Sequence, residues 1–448
     1  MEATKQPIKE VYPMRLKDYA RNPRKRKEYV QQPGLLLIGV DISKAKHDAC
    51  IGTRNGIITR KLTFAHCREG FQMFEKAIRK NIFKAKCRRV LIGMEPSGIY
   101  WYALYERLKS CGYGVCLVNC QAVSNNRKTM SDGRDKTDEK DAYSIFDLLT
   151  QGKFLLPVQR DSELMAAYRM MQRHMALKKR ISRLRNQLRQ AIHLAFPELN
   201  PLIKDLTLPT SLRFLQANPA PRSIRYNGRR RFMEKWRPRQ RCGQWRPEKL
   251  ERIYELAGTS IGLKDPHRIN EFEIKALAQD LADAVGKARM WLDKAIELVE
   301  HRNDYWLLLQ MPRIGKPTAC AILTAVGDIN EFLSGKQLVK LAGLDIRRFE
   351  SGLTVKKRPR ISHIGSGYLR HWLYHYAKRL VAFDPQFKAL HQRKKQNSPG
   401  KGSGQRALIA VSDKIVRIVY RILKDNTNYS SKKDQVIARQ YGTLKKAA

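Results

Sequence analysis

The chain has 448 residues, with 88 lysines and arginines against 41 aspartates and glutamates, and a formal net charge of +47. So large a positive charge predicts a polyanionic partner, because lysine and arginine gain affinity by releasing counterions from phosphates. The sequence has no apolar run long enough to span a bilayer and no apolar signal segment, which argues against a membrane protein. We therefore expect a cytoplasmic protein whose eight cysteines, none in a C-x-x-C pair, are reduced thiols and not zinc ligands.

The first third of the sequence predicts a flexible arm followed by an α/β domain. Residues 1–33 are polar and basic, and residues 34–160 alternate apolar runs with segments of helical spacing. The apolar runs typical of strands begin at Gly34, Asp48, Gly56, Arg89 and Gly114. Asn55-Gly56 is a hairpin signal. Hairpin strands followed by alternating strands and helices predict a mixed sheet in residues 34–160.

The middle of the chain, residues 161–303, predicts a coiled coil interrupted by an insertion at about 205–265. Apolar residues repeat at alternating intervals of four and three residues in two segments. The first set is Leu177, Ile181, Leu184, Leu188, Ala191 and Ala195, and the second is Ile274, Leu277, Leu281, Ala284, Ala288, Trp291, Ala295 and Leu298. The two helices could form an antiparallel hairpin within one chain or a dimer contact.

The insertion contains a basic segment, residues 222–249, with eleven lysines and arginines against two acidic residues. Four aromatic residues are interleaved with them: Tyr226, Phe232, Trp236 and Trp245. This pattern suits nucleic-acid backbones and stacking on unpaired bases, and a flexible charged loop is an equally good interpretation. The candidate nucleic-acid contacts are Arg229, Arg230, Arg231, Trp236, Arg237, Arg239 and Arg241, together with Lys136.

Residues 304–424 predict a mostly helical C-terminal domain, and residues 425–448 a basic tail. Within this domain, residues 310–319 (QMPRIGKPTA) resemble a helix-hairpin-helix turn. In such a turn, backbone N–H groups hold a DNA phosphate. The first glycine of the motif is replaced by Arg313, which weakens the resemblance.

Four acidic residues are candidate metal ligands. Asp41 ends the first predicted strand, and Glu95 ends a later one. Asp138 and Asp141 are three residues apart at the start of a helix, so they share one face. Strand ends lie at one edge of an α/β sheet, where sites are usual. Four converging carboxylates repel each other unless a cation lies among them, and oxygen ligands favour Mg²⁺ or Mn²⁺. Each acid alone is better explained as a helix cap or surface charge.

Several motifs resemble the DEDD transposases of the insertion-sequence-110 family, relatives of the Piv invertase. In the first domain they are GVDISK (39–44), MEPSGIY (94–100) and DKTDEKDA (135–142). In the C-terminal part they are ILTAVGD (322–328), LAGL (341–344), ESG (350–352), RISHIG (360–365) and YLR (368–370). The resemblance implies a RuvC-like, RNase H-like first domain in which Asp41, Glu95, Asp138 and Asp141 bind metal. It does not extend to the basic arm or the insertion, and Cys120 replaces a common proline.

The resemblance also implies a catalytic serine in a C-terminal transposase domain. Ser351 precedes a glycine as the family pattern requires, and Ser362 is the alternative. A serine hydroxyl is a weak nucleophile and needs activation by a base, a charge or a metal. The two metal ions that such an acidic site can hold would stabilise the attacking and leaving oxygens of phosphoryl transfer.

The expected function is that of an insertion-sequence transposase or site-specific recombinase that cuts and rejoins DNA through a covalent phosphoserine. The family resemblance implies donor and target DNA as partners, and a structured guide RNA (bridge RNA) encoded by the element. The coiled coil and the family pattern favour a homodimer or homotetramer. The alternatives are a RuvC-like Holliday-junction nuclease that uses water, and an RNA-binding protein whose acidic residues are structural.

Overall fold

The computed structural model describes residues 23–96, 98–130, 138–226, 228–236, 245–351, 355–397 and 399–430, with only the backbone at 130, 347–351 and 355–359. The chain divides between Val158 and Gln159 into two compact units. None of the helices in the described ranges is long and apolar enough to cross a membrane.

The first unit is an α/β fold built on a five-stranded mixed sheet. Its strands are β1 (Leu35–Ile42), β2 (Lys46–Thr53), β3 (Gly56–Ala65), β4 (Arg89–Met94) and β5 (Gly114–Leu117). Their order is β3-β2-β1-β4-β5, with β1 antiparallel to β2 and parallel to β4. The helices are α1 (Pro23–Val30), α2 (Arg68–Lys84), α3 (Trp101–Ser110), α4 (Cys120–Met130) and α5 (Asp138–Thr150). The predicted mixed sheet is therefore present.

Both faces of this sheet are covered, because β1 and β4 are almost entirely apolar. Leu36 and Ile38 pack with Phe74 of α2 and Leu104 of α3 on one face. Leu37, on the other face, packs in the cluster that contains the apolar residues of α5. Alternation along β1 places Gly39 on the α5 face as well.

Gly39 allows α5 to approach the sheet more closely than any side chain would permit. A Cβ atom at this position would fall on the backbone of Ala142 and Phe146, inside van der Waals contact. Gly93 of β4, which pairs with Gly39, lies under the side chain of Leu149 in the same way. The glycines of β1 and β4 therefore form a groove in which α5 lies.

The second unit is mostly helical. Its first part contains α6 (Ser162–Ala195), α7 (Pro209–Ala217), α8 (Pro221–Tyr226), α9 (Gly228–Trp236), α10 (Pro247–Gly258) and α11 (Ile269–Glu297). Its second part contains α12 (Asn303–Leu309), α13 (Lys316–Val326), α14 (Gly335–Leu341), β6 (Ile346–Ser351), β7 (Val355–Ile361), α15 (Gly367–Phe383), α16 (Pro385–Gln396) and α17 (Ser403–Asp425).

The two predicted seams pair with each other within one chain. Ile181 and Leu188 of α6 pack in one cluster with Leu281 of α11. The helices are antiparallel, since His174 Nδ1 lies 2.8 Å from the Ala288 carbonyl oxygen while Arg180 pairs with Asp280 farther along. The seam pattern allowed a hairpin within one chain or a dimer contact, and the structure shows the hairpin within one chain.

The insertion forms a small helical bundle, α7 to α10, at the end of this hairpin. Phe214 is at the centre, with its ring 4.6 Å from Trp245, 4.9 Å from Trp236 and 6.2 Å from Phe232. Phe232 and Trp245 are buried, and Trp236 is half-buried. The described part of residues 222–249 is therefore not a flexible loop, and Phe232 and Trp245 are not exposed stacking aromatics, whereas Tyr226 is exposed.

We expect Gly39→Ala to weaken the first unit by about 1–3 kcal/mol, because the added methyl group must push α5 away from β1. Hydrogen exchange of the β1 and β4 amides would measure this effect on the unit itself. Gly286→Ala in α11 is the control: no atom lies within 4 Å of its added Cβ, so alanine should stabilise that helix by about 0.5–1 kcal/mol. Unchanged protection of β1 in Gly39→Ala would contradict the close packing.

Candidate active site

The register of the central strands brings two of the predicted acids to one edge of the sheet. In the parallel β1–β4 pair, Val40 is opposite Met94, so Asp41 and Glu95 are the residues that follow this pair on the two neighbouring segments. Asp41 is half-buried near the end of β1, and Glu95, also half-buried, directly follows β4. Asp41 lies on the α5 face, because it follows Leu37 and Gly39 at intervals of two.

The other two acids lie in the first turn of α5, which begins at Asp138. Asp141 is buried, and Asp138 is exposed. Because the backbone of Ala142 packs directly against Gly39, the start of this helix lies against the end of β1. The helix N-terminus is also a favourable place for negative charge, because its backbone N–H groups carry a partial positive charge.

The four carboxylates act on one another electrostatically. Burial first, and then the neighbouring carboxylates of Asp141, Asp138 and Glu95, together raise the pKa of Asp41 to about 6. The structure thus brings together all four acids that the sequence singled out. Their convergence leaves negative charge that is only partly compensated by the protein.

Two basic side chains supply that partial compensation. Arg127 of α4 donates a hydrogen bond to Asp141, and both side chains are largely buried. Lys46 lies 3.7 Å from Asp138, with both side chains exposed. Within the described ranges, no three His, Cys, Asp or Glu side chains are close enough to ligate one ion, although the charges of the four acids act over longer distances.

The donor set fits a hard divalent cation. All four groups are carboxylates, which magnesium and manganese prefer, and sulfur or imidazole ligands are not required. The raised pKa of Asp41 is the structural observation that supports this fit: burial is its largest cause, and an ion among the four would relieve the repulsion from the other three carboxylates that adds to it. Asp41, Glu95, Asp138 and Asp141 are the residues that could hold it.

Two further residues at this edge were not identified from the sequence. Asp48 pairs directly with Asp41 across β1 and β2, is buried, and accepts a hydrogen bond from the Thr63 hydroxyl. The thiol of Cys120 hydrogen-bonds to Glu95, and burial followed by this contact raises its pKa. An acid at an inner position of β2 was the available signal for Asp48, whereas nothing in the sequence predicted the position of Cys120.

The two candidate serines lie in different surroundings. Ser351 ends β6, and its backbone is opposite Val355 in the β6–β7 hairpin; its side chain is outside the described part. Ser362 is buried, donates its hydroxyl proton to Asp345, and accepts a hydrogen bond from the Ile364 N–H. The Ser362 hydroxyl is therefore engaged in a local network in the second unit.

The candidate nucleic-acid contacts lie in different surroundings. Arg229 pairs with Glu251 at 2.5 Å and Arg230 with Glu234 at 3.1 Å. Arg231 is exposed. Trp236 belongs to the aromatic core of the bundle, so its proposed stacking on bases is corrected. The remaining candidates lie outside the described residues: Lys136, Arg237, Arg239 and Arg241.

A turn joins α12 and α13 at the position where the sequence resembles a helix-hairpin-helix turn. Arg313 has a left-handed backbone with φ of 57°, the conformation for which glycine is the usual choice. Gly315 then precedes the first turn of α13. The Tyr376 hydroxyl donates a 2.8 Å hydrogen bond to the Pro312 carbonyl oxygen, which fixes the turn on α15.

Comparison with known proteins gives consistent matches. Residues 38–197 match a transposase family of the DEDD and IS110 type, and residues 305–392 match the transposase family IS116/IS110/IS902. Together these matches cover more than half of the chain.

Three relatives show the extent of the similarity. The pilin gene-inverting protein of Moraxella bovis is 32% identical over 136 residues, which are 30% of this chain and 40% of that protein. That of Moraxella lacunata is 31% identical over 128 residues, 28% of this chain and 38% of that protein. An uncharacterized 43.6 kDa protein of insertion element IS110 from Streptomyces coelicolor is 25% identical over 306 residues, 67% of this chain and 73% of its own. The chain thus spans less than half the length of the two gene-inverting proteins.

We expect the metal-free protein to lose stability as the pH rises through about 6, because the raised pKa of Asp41 means that its ionised form opposes folding. That stability is fully present below the ordinary value of 3.8 and is lost as Asp41 ionises. Adding Mg²⁺ should restore the melting temperature at neutral pH. Asp41→Asn should abolish both the pH dependence and the Mg²⁺ effect.

The matched control for this experiment is Glu139→Gln, in the first turn of α5 beside Asp138 and Asp141. Glu139 pairs with Arg60 at 3.0 Å. Its removal should leave the dependence on pH and Mg²⁺ as in the unmodified protein. An Mg²⁺ effect that survives Asp41→Asn would contradict the assignment of Asp41 as a ligand.

The arginines of α9 give a separate prediction. We expect Arg231→Gln to reduce the slope of log affinity for DNA against log salt by about 1, the value for one lost phosphate contact. Arg229→Gln should change the slope less, because Glu251 already holds its guanidinium. Equal slopes in the two variants would exclude Arg231 as a phosphate contact.

Proposed function

Because this chain belongs to the IS110 family of transposases, we propose that it is a DNA transposase or site-specific recombinase with an acidic metal centre. The observation that carries the proposal is the convergence of Asp41, Glu95, Asp138 and Asp141: burial, and then the charges of the other three acids, raise the pKa of Asp41 to about 6. An RNase H-like identity of the first unit agrees with its antiparallel β3-β2-β1 meander followed by parallel β4 and β5. The similarity to gene-inverting proteins supports the same class of reaction.

We assign metal binding to the four carboxylates at the edge of the sheet. A bound divalent ion would polarise a phosphoryl oxygen and stabilise negative charge on the reacting phosphate. Burial of Asp141 and its hydrogen bond from Arg127 fix the orientation of the Asp141 carboxylate. Lys46, beside exposed Asp138, is placed at the mouth of the cluster, where a cation favours the approach of a phosphodiester.

Ser351 is the proposed nucleophile. Its Oγ would attack phosphorus and lose its proton to a base, while the bond from phosphorus to one DNA oxygen breaks and that oxygen leaves as a hydroxyl. A hydroxyl of a second DNA end would then attack the phosphoserine and release the serine. One phosphoester bond forms for each that breaks, so rejoining requires no ATP. The family resemblance, in which a serine precedes a glycine, supports this choice, and Ser362 is the alternative, because its hydroxyl donates to the Asp345 carboxylate.

The proposed partners are donor DNA, target DNA and a structured guide RNA from the element. The family resemblance and the net charge of +47 support them. A homodimer or homotetramer would be required for two DNA duplexes to be cut and exchanged together.

The rival function is hydrolysis by a RuvC-like nuclease without a covalent intermediate. It uses the same four acids, so the metal centre does not distinguish the two reactions. The difference is whether DNA becomes joined to the protein.

A covalent trap decides between them. Purified protein would be mixed with RNA transcribed from the flanks of its element, donor DNA and Mg²⁺, and separated on a denaturing gel. We expect a protein–DNA adduct that is lost in Ser351→Ala and in Asp138→Asn. Cleavage without an adduct would establish the hydrolytic reaction instead.

Ser362→Ala is the control for the nucleophile. It removes a buried hydroxyl that bonds to Asp345 and to the Ile364 N–H. We expect it to reduce stability by about 1–3 kcal/mol and to retain the adduct. An adduct that survives Ser351→Ala but disappears in a folded Ser362→Ala protein would transfer the role of nucleophile to Ser362.

A further inference from the structure

A row of basic and titratable side chains lies on the exposed side of α15. His371, His375 and Lys378 follow one another at intervals of four and three residues, so they share one face of the helix. All three side chains are exposed. The two imidazole rings are 4.4 Å apart between centroids and tilted by 57°. In the described part of the chain, no carboxylate forms an ion pair with either ring.

Helix α6 adds cations to the same surface. Lys179 is close enough to His371 to act on its charge: burial, the His375 ring and the Lys179 ammonium together lower the pKa of His371. Arg183, one turn farther along α6, is also exposed. His375 on its own helix and Lys179 on α6 are the titratable neighbours that act on His371.

Such an arrangement is unfavourable for the free protein, because like charges face one another without a compensating acid. It becomes favourable when an anion with several closely spaced charges lies across it. Duplex nucleic acids have this property, because they carry one phosphate charge for every ~1.7 Å of helix axis.

We propose that Lys179, Arg183, His371, His375 and Lys378, the α6–α15 surface, bind the phosphodiester backbone of duplex DNA. The identity of the polyanion as DNA rests on the proposed function. A pair of histidines four residues apart on a helix can also chelate a transition-metal ion. Lys179 argues against this, since its ammonium repels a second cation beside His371.

The two ligands have opposite proton linkage. A phosphate stabilises the imidazolium form, so DNA binding takes up protons and strengthens as the pH falls through the range in which His371 titrates. A metal ion requires neutral imidazole, so metal binding releases protons and weakens as the pH falls. The sign of the proton change therefore identifies the ligand class.

The test measures binding of a short DNA duplex to the full-length Asp138→Asn protein, at about pH 6 and about pH 8 and at several salt concentrations. This background removes metal-dependent cleavage from the assay. We expect affinity at fixed salt to be higher at the lower pH. Replacing both histidines (His371→Gln and His375→Gln) should remove that increase and reduce the salt slope at low pH by up to about 2. Lys179→Gln should reduce the salt slope by about 1 at both pH values.

His193→Gln is the matched control, because His193 is an exposed histidine in the last turn of α6. It should leave the pH dependence unchanged. A pH dependence that persists in the double histidine variant overturns the proposal, as does an equal effect of His193→Gln. Proton-linked binding seen only with an RNA duplex of the same sequence also overturns it, and so does Zn²⁺ binding with proton release.

The covalent trap and this binding test fail independently. An adduct without histidine-dependent proton uptake would leave the recombinase assignment intact and overturn the proposed role of the α6–α15 surface in DNA binding. Histidine-dependent proton uptake without an adduct would retain a DNA-binding surface and remove the serine mechanism.

Discussion

The close contact between α5 and β1 at Gly39 is the constraint on which the acidic centre depends. Two acids come from strands and two from a helix, and they can converge only if the helix axis lies close to the sheet. A side chain at Gly39 or Gly93 would hold α5 away. The apolar residues of α5 stabilise this approach by packing on the α5 face of the sheet. The same contact that forms the core thus positions Asp138 and Asp141 beside Asp41.

That convergence has an electrostatic cost in a protein that is otherwise strongly basic. Burial, and after it repulsion from the other acids, raises the pKa of Asp41, while Arg127 and Lys46 partly neutralise the two α5 acids. The opposite imbalance occurs on the α6–α15 surface, where His371 lies near Lys179 without an acid. Each imbalance would be relieved by the ligand of opposite charge that we propose: a divalent cation for the acids and a phosphate backbone for the bases.

The insertion shows where sequence patterns are ambiguous. Its basic residues and aromatic residues suggested one exposed surface, but they separate in the folded bundle. Phe232 and Trp245 are buried against Phe214, whereas Arg229 and Arg230 pair with acids at the surface. Short amphipathic helices such as α9 alternate these residue types along the chain, and only the helical rotation sorts them onto different faces. Composition contains no information on that rotation.

The α/β character of the first unit and the four candidate acids could be predicted from the sequence. Apolar runs ending in Asp41 and Glu95 can be read locally, because strand periodicity and strand ends depend on neighbouring residues. The spacing of Asp138 and Asp141 likewise follows from helix geometry. The pairing of the coiled-coil seams within one chain, the burial of Ser362, and the positions of Asp48, Cys120 and Lys179 were decided by tertiary structure. Each depends on contacts between residues far apart in the chain, and no local pattern records those distances.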